Sequence, residues 1–342
     1  MSIKETLQKT FLYNVYIYFK QRKVRNRYLD QHYGSNKKAI TKAKLACLLL
    51  RFYHADFYRL KGEDKTFKEL KEFVTYIESS SYMGSHTTKN TSNILKDKWL
   101  SYNHFKDFYG RRVALIKKDD LSSGAAMEKL NFVAGDKQDK RIIFKPLTLN
   151  RGIGIKLFDS PEEAFSYIRE KGSGIVEQII IQNEDMASFN HSSVNTVRIH
   201  SVNYGDRIDV KWPCLRVGRK GSVVDNAGAG GIFVAIDVEA GVTVAACDEA
   251  RNTYVVHPDS QKNLIGFQVP RWKEACELTR QLARLVPEAA FVGWDLALTD
   301  NGWIMVEGNG FPLIIYQIAT NKGLRKEFDQ IRKKMDGNSS VS

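Results

Sequence analysis

The chain has 342 residues, of which 43% are hydrophobic and 11% aromatic, and its formal net charge is +13. This composition is typical of a globular protein with a sizeable core and excludes a disordered chain. The four cysteines are far apart and include no Cys-x-x-Cys pair, which favours reduced thiols in a cytoplasmic protein over a disulfide scaffold or zinc site. No segment has the apolar length of a signal peptide core or a membrane span.

The charge is concentrated at the N-terminus. Residues 1–60 hold 13 lysines and arginines against three acids, an excess of 10 positive charges, interleaved with aromatic residues such as Tyr16 and Phe19. Two interpretations remain open: a solvated basic face over a packed aromatic face, or contact with an anionic partner. That partner would be the inner face of a membrane or an acidic glycan. No nucleic-acid-binding motif is present, so we expect no nucleic-acid partner.

The elements predicted in chain order begin with helices over the first 80 residues. Apolar positions at helical spacing predict a helix from Glu63 to Ile77, and the polar cluster from Ser79 to Ser92 predicts a loop and a domain boundary. Beyond it, the pattern predicts helices at Ile94–Tyr109 and Pro161–Lys171 and strands at Val113–Ile116 and Arg141–Lys145.

From Gly174 onward strands dominate. We expect them at 174–181, 196–204, 208–215, 233–237 and 254–256, then a helix at Arg271–Leu285, a β-hairpin over 291–311 and a closing helix at Asn321–Lys334. The tail from 335 to 342 is predicted to be disordered.

The hairpin carries the strongest chemical signal. Asp295 lies in its first strand, and Glu307 and Asn309 lie two residues apart on one face of the returning strand. Carboxylate and amide oxygens without neighbouring His or Cys select Mg²⁺ or Mn²⁺ rather than Zn²⁺, and Mg²⁺ usually shares its ligands with substrate phosphates. The hairpin therefore predicts phosphate chemistry.

Three segments upstream could complete a nucleotide site. Lys145 ends a strand and is followed by a loop with Gly152 and Gly154, whose backbone N–H groups could approach phosphate oxygens. Glu177 interrupts an apolar strand, where it could accept a hydrogen bond from an adenine amino group while the following backbone pairs with the ring edge. Each segment alone is more often an ordinary turn, a solvated lysine or a strand with polar residues facing water.

A glycine-rich segment further along the chain suggests a substrate site. Asp225 and Asn226 could hydrogen-bond to substrate hydroxyl or amine groups, and Gly230 and Gly231 would let the backbone approach a ligand closely. The alternative is a flexible turn.

In this order, the motifs resemble those of the sugar-transfer-associated ATP-grasp family. They cover about residues 95–315 and comprise Asp97-Lys98, Phe144-Lys145-Pro146 with the glycine loop, Val176-Glu177-Gln178, Ser193-Val194-Asn195-Thr196-Val197-Arg198, Arg216-Val217-Gly218, Val224-Asp225-Asn226 with Gly230-Gly231, His257-Pro258-Asp259-Ser260 and the hairpin. The resemblance implies an α+β class: an ATP-grasp fold whose two α+β subdomains, residues 93–180 and 181–334, clasp ATP. A basic, mainly helical region, residues 1–92, would precede them in place of the usual alternating strand–helix domain.

The resemblance also implies roles for particular residues. Lys98 and Lys145 would contact ATP phosphates beneath a lid containing Gly152 and Gly154, while Glu177, Gln178 and Ile180 would hold adenine. Asp295, Glu307 and Asn309 would bind Mg²⁺ or Mn²⁺. Arg198 and Arg216 would stabilise an acyl phosphate or hold an acidic substrate, and Asn195, Asp225, Asn226, Gly230 and Gly231 would line the acceptor site.

These roles imply an ATP- and Mg²⁺-dependent ligase that joins a carboxylate to an amine through an acyl phosphate. Its acceptor would be an acidic small molecule or glycan, in polysaccharide or cell-surface glycan modification. One alternative is a kinase that phosphorylates a sugar or polyol hydroxyl, with Asp225 as the base. A second is a non-catalytic module that tethers a glycan-synthesis assembly to the membrane through residues 1–60.

Overall fold

The computed structural model describes residues 11–135, 139–147, 154–219, 221–222, 230–310 and 315–338, with side chains from 14 to 337. Its helices, numbered in chain order, are α1 Phe11–Lys20, α2 Arg22–Tyr33, α3 Lys37–Leu49, α4 His54–Arg59, α5 Phe67–Leu70, α6 Tyr76–Ser85, α7 Lys89–Lys96, α8 Lys98–Phe105, α9 Lys118–Ser123, α10 Ala125–Ala134, α11 Pro161–Lys171, α12 Glu184–Ala187, α13 Trp272–Arg284, α14 Ile315–Thr320 and α15 Arg325–Asn338. There are two 3₁₀ turns: Gly62–Asp64 lies between α4 and α5, and Lys106–Phe108 follows α8 and precedes the first strand.

The strands form two antiparallel sheets. They are β1 Val113–Ile116, β2 Ile142–Pro146, β3 Lys156–Phe158, β4 Gly174–Gln178, β5 Thr196–Asn203, β6 Ile208–Val217, β7 Ile232–Ile236, β8 Thr243–Asp248, β9 Phe291–Thr299 and β10 Gly302–Asn309. The first sheet has the order β1-β4-β2-β3 and the second the order β10-β9-β5-β6-β7-β8. This α+β architecture is the predicted fold class.

Each sheet is covered by helices with an apolar face. In the second sheet one face packs against α13, whose inward residues include Ala275, Leu278 and Leu282 at helical spacing. Helices α10 and α11 cover the first sheet, with Leu130 and Ile168 in its core. The helix predicted at Arg271–Leu285 is thus confirmed, as is the one at Pro161–Lys171.

The basic N-terminal region shares a core with the second sheet. Leu29, Phe57 and Leu70 pack in one cluster with Phe233 of β7 and Ile318 of α14. The opposite end of this sheet is closed by α15, which buries Phe328 against β9. The N-terminal helices therefore obtain part of their stability from the sheet rather than from one another alone.

Two predicted elements between residues 63 and 92 are wrong. The predicted helix Glu63–Ile77 is divided into the 3₁₀ turn, α5 and the start of α6, and the predicted loop Ser79–Ser92 lies mostly in α6 and α7. Thr66, Thr75 and Thr88 each accept a hydrogen bond from a backbone N–H at the start of the helix that follows. Thr66 and Thr75 thus divide the predicted helix into separately capped helices, and Thr88, which lies in the predicted loop, caps α7.

Differences at other segments are smaller. Tyr254–Val256 makes only an isolated bridge rather than a strand, and the sequence did not predict β3, β8, α9, α10, α12 or α14. Helix α15 continues to Asn338, inside the segment predicted to be disordered, and residues 339–342 lie outside the described part. Among the described residues, no helix combines the length and apolar character that crossing a bilayer requires.

Candidate functional site

A buried ion-pair cluster forms around Glu177 on β4. Its carboxylate is 2.8 Å from Lys145 Nζ of β2 and 2.7 Å from a terminal nitrogen of Arg111, and the residue is only 3% exposed. Burial alone would raise the pKa of Glu177, but Arg111 and Lys145 together lower it to about 2. Glu177 is therefore a carboxylate at neutral pH that orients Lys145.

Arg111 links this cluster to the second sheet. Its Nη1 atom donates to the carbonyl oxygens of Tyr109, at 3.0 Å, and Met305, at 2.7 Å, while its Nη2 atom is 3.4 Å from the carbonyl of Val306. Met305 and Val306 lie at the irregularity in β10 that precedes Glu307. Sequence analysis missed Arg111, because one arginine of a basic pair before a short strand carries no distinguishing signal.

Lys98 is brought to the same place by a capped helix. Asp97 accepts hydrogen bonds from two backbone N–H groups at the start of α8, which fixes Lys98 as the first residue of that helix. Burial and the neighbouring Lys145 lower the pKa of Lys98, whereas Glu307 and Glu177 oppose that shift. Both lysines predicted to contact phosphates therefore lie close enough to each other and to Glu307 to interact electrostatically.

The hairpin β9–β10 places the predicted metal ligands in register. Glu307 lies opposite Asp295 in the β9–β10 pair, and Arg198 of β5 lies opposite Asp295 on its other side. Gly308 separates Glu307 from Asn309, and a Cβ atom there would come within 2.8 Å of the Trp294 ring. The alternation of the strand therefore directs Glu307 and Asn309 to one face, while Gly308 allows the other face to pack on Trp294.

Asp295 is held by two arginines. Arg198 binds both of its oxygens, with Nε–Oδ1 at 2.7 Å and Nη2–Oδ2 at 2.6 Å, and Arg216 Nη1 lies 2.6 Å from Oδ2. Burial would raise the pKa of Asp295, which is 2% exposed, but the two arginines hold it well below its usual range. Three N–H donors leave about one of its four lone-pair positions for another partner.

That remaining partner is Glu307. The two carboxyl groups are in hydrogen-bonding contact, and although 55% of the Glu307 side chain is accessible to water, the desolvation of its surroundings and the charge of Asp295 raise its pKa. Two carboxylates this close repel each other, and Arg198 and Arg216 reduce that repulsion, which a bound cation would reduce further. Asn309 donates its amide N–H to Glu307 Oε1 at 3.2 Å, so its carbonyl oxygen is not used in that bond.

These residues fit a hard divalent cation. The donor set is two carboxylates and an amide oxygen, which suits Mg²⁺ or Mn²⁺. No cluster of three or more His, Cys, Asp or Glu suitable for a metal occurs in the described ranges. The charges of Arg198 and Arg216 already balance those of Asp295 and Glu307. A dication would therefore bind far better together with anionic phosphates than alone.

Asn195 differs from its predicted role as a substrate contact. It is 0% exposed, its amide N–H groups donate to the carbonyls of Met186 and Asn190, and its oxygen accepts from Gly218 N at 3.1 Å. His257 Nε2 lies 3.0 Å from the Gly218 carbonyl. Asn195 therefore fixes the backbone that follows β6, and no polar atom of its side chain is directed to solvent.

The remaining predicted residues fall into two groups. Gly152, Asp225 and Asn226 lie outside the described residues. Gln178, Ile180, Gly154, Gly230 and Gly231 are described: Gln178 ends β4, Ile180 follows it, and Gly154 and Gly230 adopt the positive φ angles that favour glycine. Their contacts with adenine or acceptor stay predictions.

Comparison with known proteins identifies the family. A family model described as sugar-transfer-associated ATP-grasp matches residues 162–333, which is half of the chain and includes Glu177, Arg198, Asp295 and Glu307. The chain belongs to this family. No curated protein matches it.

Solved structures of the ATP-grasp fold are similar to this family member at low identity. A D-alanine–D-alanine ligase from Bacillus anthracis is 12% identical, with a TM-score of 0.41 over 73% of this chain and 66% of that one. The ATP-grasp ligase PsnB, complexed with a minimal precursor, Mg and ADP, is 10% identical, with a TM-score of 0.43 over 77% of this chain and 67% of that one. The chain spans about two thirds of the length of each.

Proposed function

We propose that this ATP-grasp protein is an ATP- and Mg²⁺-dependent ligase that joins a carboxylate to an amine through an acyl phosphate. The observation that carries the proposal is the continuous cluster from Lys145 through Glu177 and Arg111 to the backbone before Glu307. It holds cationic groups suited to phosphates beside carboxylates suited to a divalent cation. Each alone has an ordinary structural explanation, but together they match what phosphoryl transfer requires.

Each group has a role set by its contacts. Lys98 and Lys145 bind phosphate oxygens, Lys145 being oriented by Glu177 rather than left to rotate freely. Asp295, Glu307 and Asn309 would hold Mg²⁺ or Mn²⁺, which would supply the positive charge that neutralises the phosphates. Adenine contact falls to Gln178 and the backbone through Ile180, because the carboxylate of Glu177 is already engaged by two cations.

Arg198 and Arg216 serve the acyl phosphate. Both are anchored on Asp295, and Arg198, whose side chain is 16% exposed, is also 3.9 Å from Glu307 Oε1. Guanidinium groups fixed in advance stabilise charge that develops on a transferred phosphoryl group without reorganising. N–H groups of these guanidinium groups that do not bind Asp295 can donate to an acidic acceptor, and the family's association with sugar transfer supports a glycan or a sugar acid as its source.

A covalent enzyme intermediate is not needed for this chemistry. All four cysteines are buried and free, and burial raises the thiol pKa of Cys47 to about 12 and of Cys276 to about 11. Thiols in this state are poor nucleophiles. The carboxylate of the substrate therefore attacks the γ-phosphate directly, and the amine then displaces phosphate from the acyl phosphate.

The test is to trap the acyl phosphate. The protein is incubated with Mg-ATP, a pool of sugar acids and other carboxylates, and hydroxylamine, which attacks acyl phosphates to give hydroxamates. The proposal predicts hydroxamate together with carboxylate-dependent ADP release, both lost in Glu307→Ala and retained in the exposed control Glu162→Gln. A phosphorylated product that survives hydroxylamine would instead establish a sugar or polyol kinase. Absence of any Mg-ATP binding would leave the non-catalytic alternative.

A further inference from the structure

The N-terminal helices enclose a cavity that the proposed ligase chemistry does not use. It is open to solvent, with an inner volume of about 20 Å³, and its lining includes Tyr18, Arg25, Cys47, Arg51 and His54 from the segment α1 to α4. None of its lining residues belongs to either sheet, so it is separate from the cluster around Glu177. Two arginines and a histidine converge in this small volume.

Arg25 is a buried cation that forms no ion pair with a carboxylate of the described residues. The residue is 3% exposed, its Nη1 atom donates to the Tyr18 carbonyl, and its guanidinium lies 3.6 Å from the centre of the Tyr18 ring. Within the part of the chain that the structure describes, its Nε atom has no hydrogen-bond partner and no acid forms an ion pair with it. A buried charge in this state is costly unless an anion is supplied from outside.

His54 offers a second polar atom to the same space. It is 3% exposed, and its Nδ1 atom is buried without a hydrogen-bond partner among the described residues. Burial, followed by the charges of Arg25 and Arg59, lowers the pKa of His54 to about 4, so the imidazole is neutral at pH 7. A neutral imidazole can place its single N–H on Nδ1 and donate it to an anion.

We propose that this cavity is a phosphate-binding site, in which Arg25 and His54 donate to the oxygens of a phosphate group and Arg51 adds a further positive charge. Phosphate fits because it has several acceptor oxygens for donors that arrive from different helices. Its negative charge would also compensate the positive charge of Arg25, which forms no ion pair with the described residues.

The phosphate can belong to a soluble ester or to an anionic phospholipid. Exposed apolar side chains beside the cavity favour the second source: Tyr16 is 56% exposed, Phe19 61% and Val24 62%. Lys20, Arg22 and Lys23 lie among them in the sequence. These residues lie on the consecutive helices α1 and α2, and exposed aromatic and basic residues together are typical of contact with the interface of an anionic bilayer.

The experiment compares Arg25→Gln with Arg27→Gln. Both substitutions remove one positive charge from α2, but Arg27 is exposed and does not line the cavity. Thermal unfolding of the full chain is followed with inorganic phosphate, and sedimentation with vesicles of phosphatidylcholine alone or with phosphatidic acid. Lys145→Met removes a cation of the proposed nucleotide site, so it shows whether any effect of phosphate on unfolding arises there. At a phosphate concentration ten times the dissociation constant, we expect Tm to rise on the order of 2 °C.

The proposal predicts that the effect of phosphate, or of phosphatidic acid, persists in Arg27→Gln and Lys145→Met and is lost in Arg25→Gln. A response to free phosphate identifies a soluble ester, and a response to phosphatidic acid vesicles alone identifies a lipid headgroup. His54→Gln tests the same cavity if Arg25→Gln does not fold. Equal losses in Arg25→Gln and Arg27→Gln, or no response to either probe, would overturn the proposal.

Discussion

Replacing Arg111 by methionine tests whether the two sheets are coupled through this residue. The side chain is 2% exposed and binds Glu177 together with the carbonyls of Tyr109 and Met305. Methionine keeps much of the length of the arginine side chain but carries no charge. The Glu177 carboxylate is then left with Lys145 as its remaining cation. Breaking a buried ion pair costs about 3–5 kcal/mol, and here the Glu177 carboxylate stays buried with one of its two cations removed.

For a chain of this size that loss lowers Tm by roughly 4–7 °C. We also expect the dissociation constant of Mg-ATP to rise on the order of tenfold, the equivalent of about 1.4 kcal/mol, because Lys145 loses the fixed position of its partner. Differential scanning calorimetry measures the first effect and isothermal titration calorimetry the second.

A matched control and a double variant make the test sharp. Arg112→Met changes the adjacent arginine, which is exposed and donates to the Phe132 carbonyl, and should cost less than about 1 kcal/mol. Arg111→Met combined with Glu177→Gln removes both charges and should recover part of the loss. The reasoning is refuted if Arg111→Met is as stable as Arg112→Met, or if the double variant is no more stable than the sum of the single variants predicts.

Three further predictions concern stability. The pKa of Glu177 is lowered to about 2, so its carboxylate contributes fully to the free energy of unfolding above the unfolded-state pKa of about 4.3. That contribution is lost as the pH falls toward 2. In Glu177→Gln, the free energy of unfolding measured at different pH values should therefore depend less steeply on pH over that window. Gly308→Ala should cost about 1–3 kcal/mol in denaturant unfolding because its Cβ meets Trp294, whereas Gly337→Ala, with open space, should cost nothing. Asn195→Ala should cost about 1–3 kcal/mol for each buried backbone group left without a partner, and a cost below 1 kcal/mol would contradict its structural role.

The parts of the fold with strong periodicity were predictable from sequence. The helix at Pro161–Lys171 has proline at its first turn and Ser160 as N-cap, and α13 shows an apolar stripe, so local chemistry and tertiary packing agree. Between residues 63 and 92, the local sequence pattern does not indicate the elements that form. Thr75 lies within a predicted helix and Thr88 within a predicted loop, and only the hydrogen bonds that their hydroxyl groups accept from backbone N–H groups reveal both as N-caps.

The candidate site was predictable where its spacing is local. Glu307 and Asn309 two residues apart on a strand must share a face, and the structure places Asp295 opposite Glu307. Long-range partners were not predictable. Arg111 joins Glu177 across 66 residues and Met305 across 194, and nothing in its own neighbourhood indicates either contact.

Arg111 was not predicted to belong to the site, whereas Asn195 was predicted to contact substrate and has a structural role instead. A polar residue within a family motif suggested a substrate contact, but the side chain satisfies the backbone of Gly218, Met186 and Asn190 instead. Residues of a motif include those that hold the chain in place as well as those that touch ligand, and burial separates the two.

Calorimetric titration of the chain with the nucleotide analogue AMPPNP, with and without Mg²⁺, tests the central claim most directly. Because Arg198 and Arg216 already balance Asp295 and Glu307, Mg²⁺ alone should bind weakly, and the nucleotide should bind at least tenfold more tightly with Mg²⁺ than without it. Glu307→Ala should abolish that difference, and Glu162→Gln should preserve it. Nucleotide binding that is independent of Mg²⁺, or unchanged in Glu307→Ala, would contradict the account.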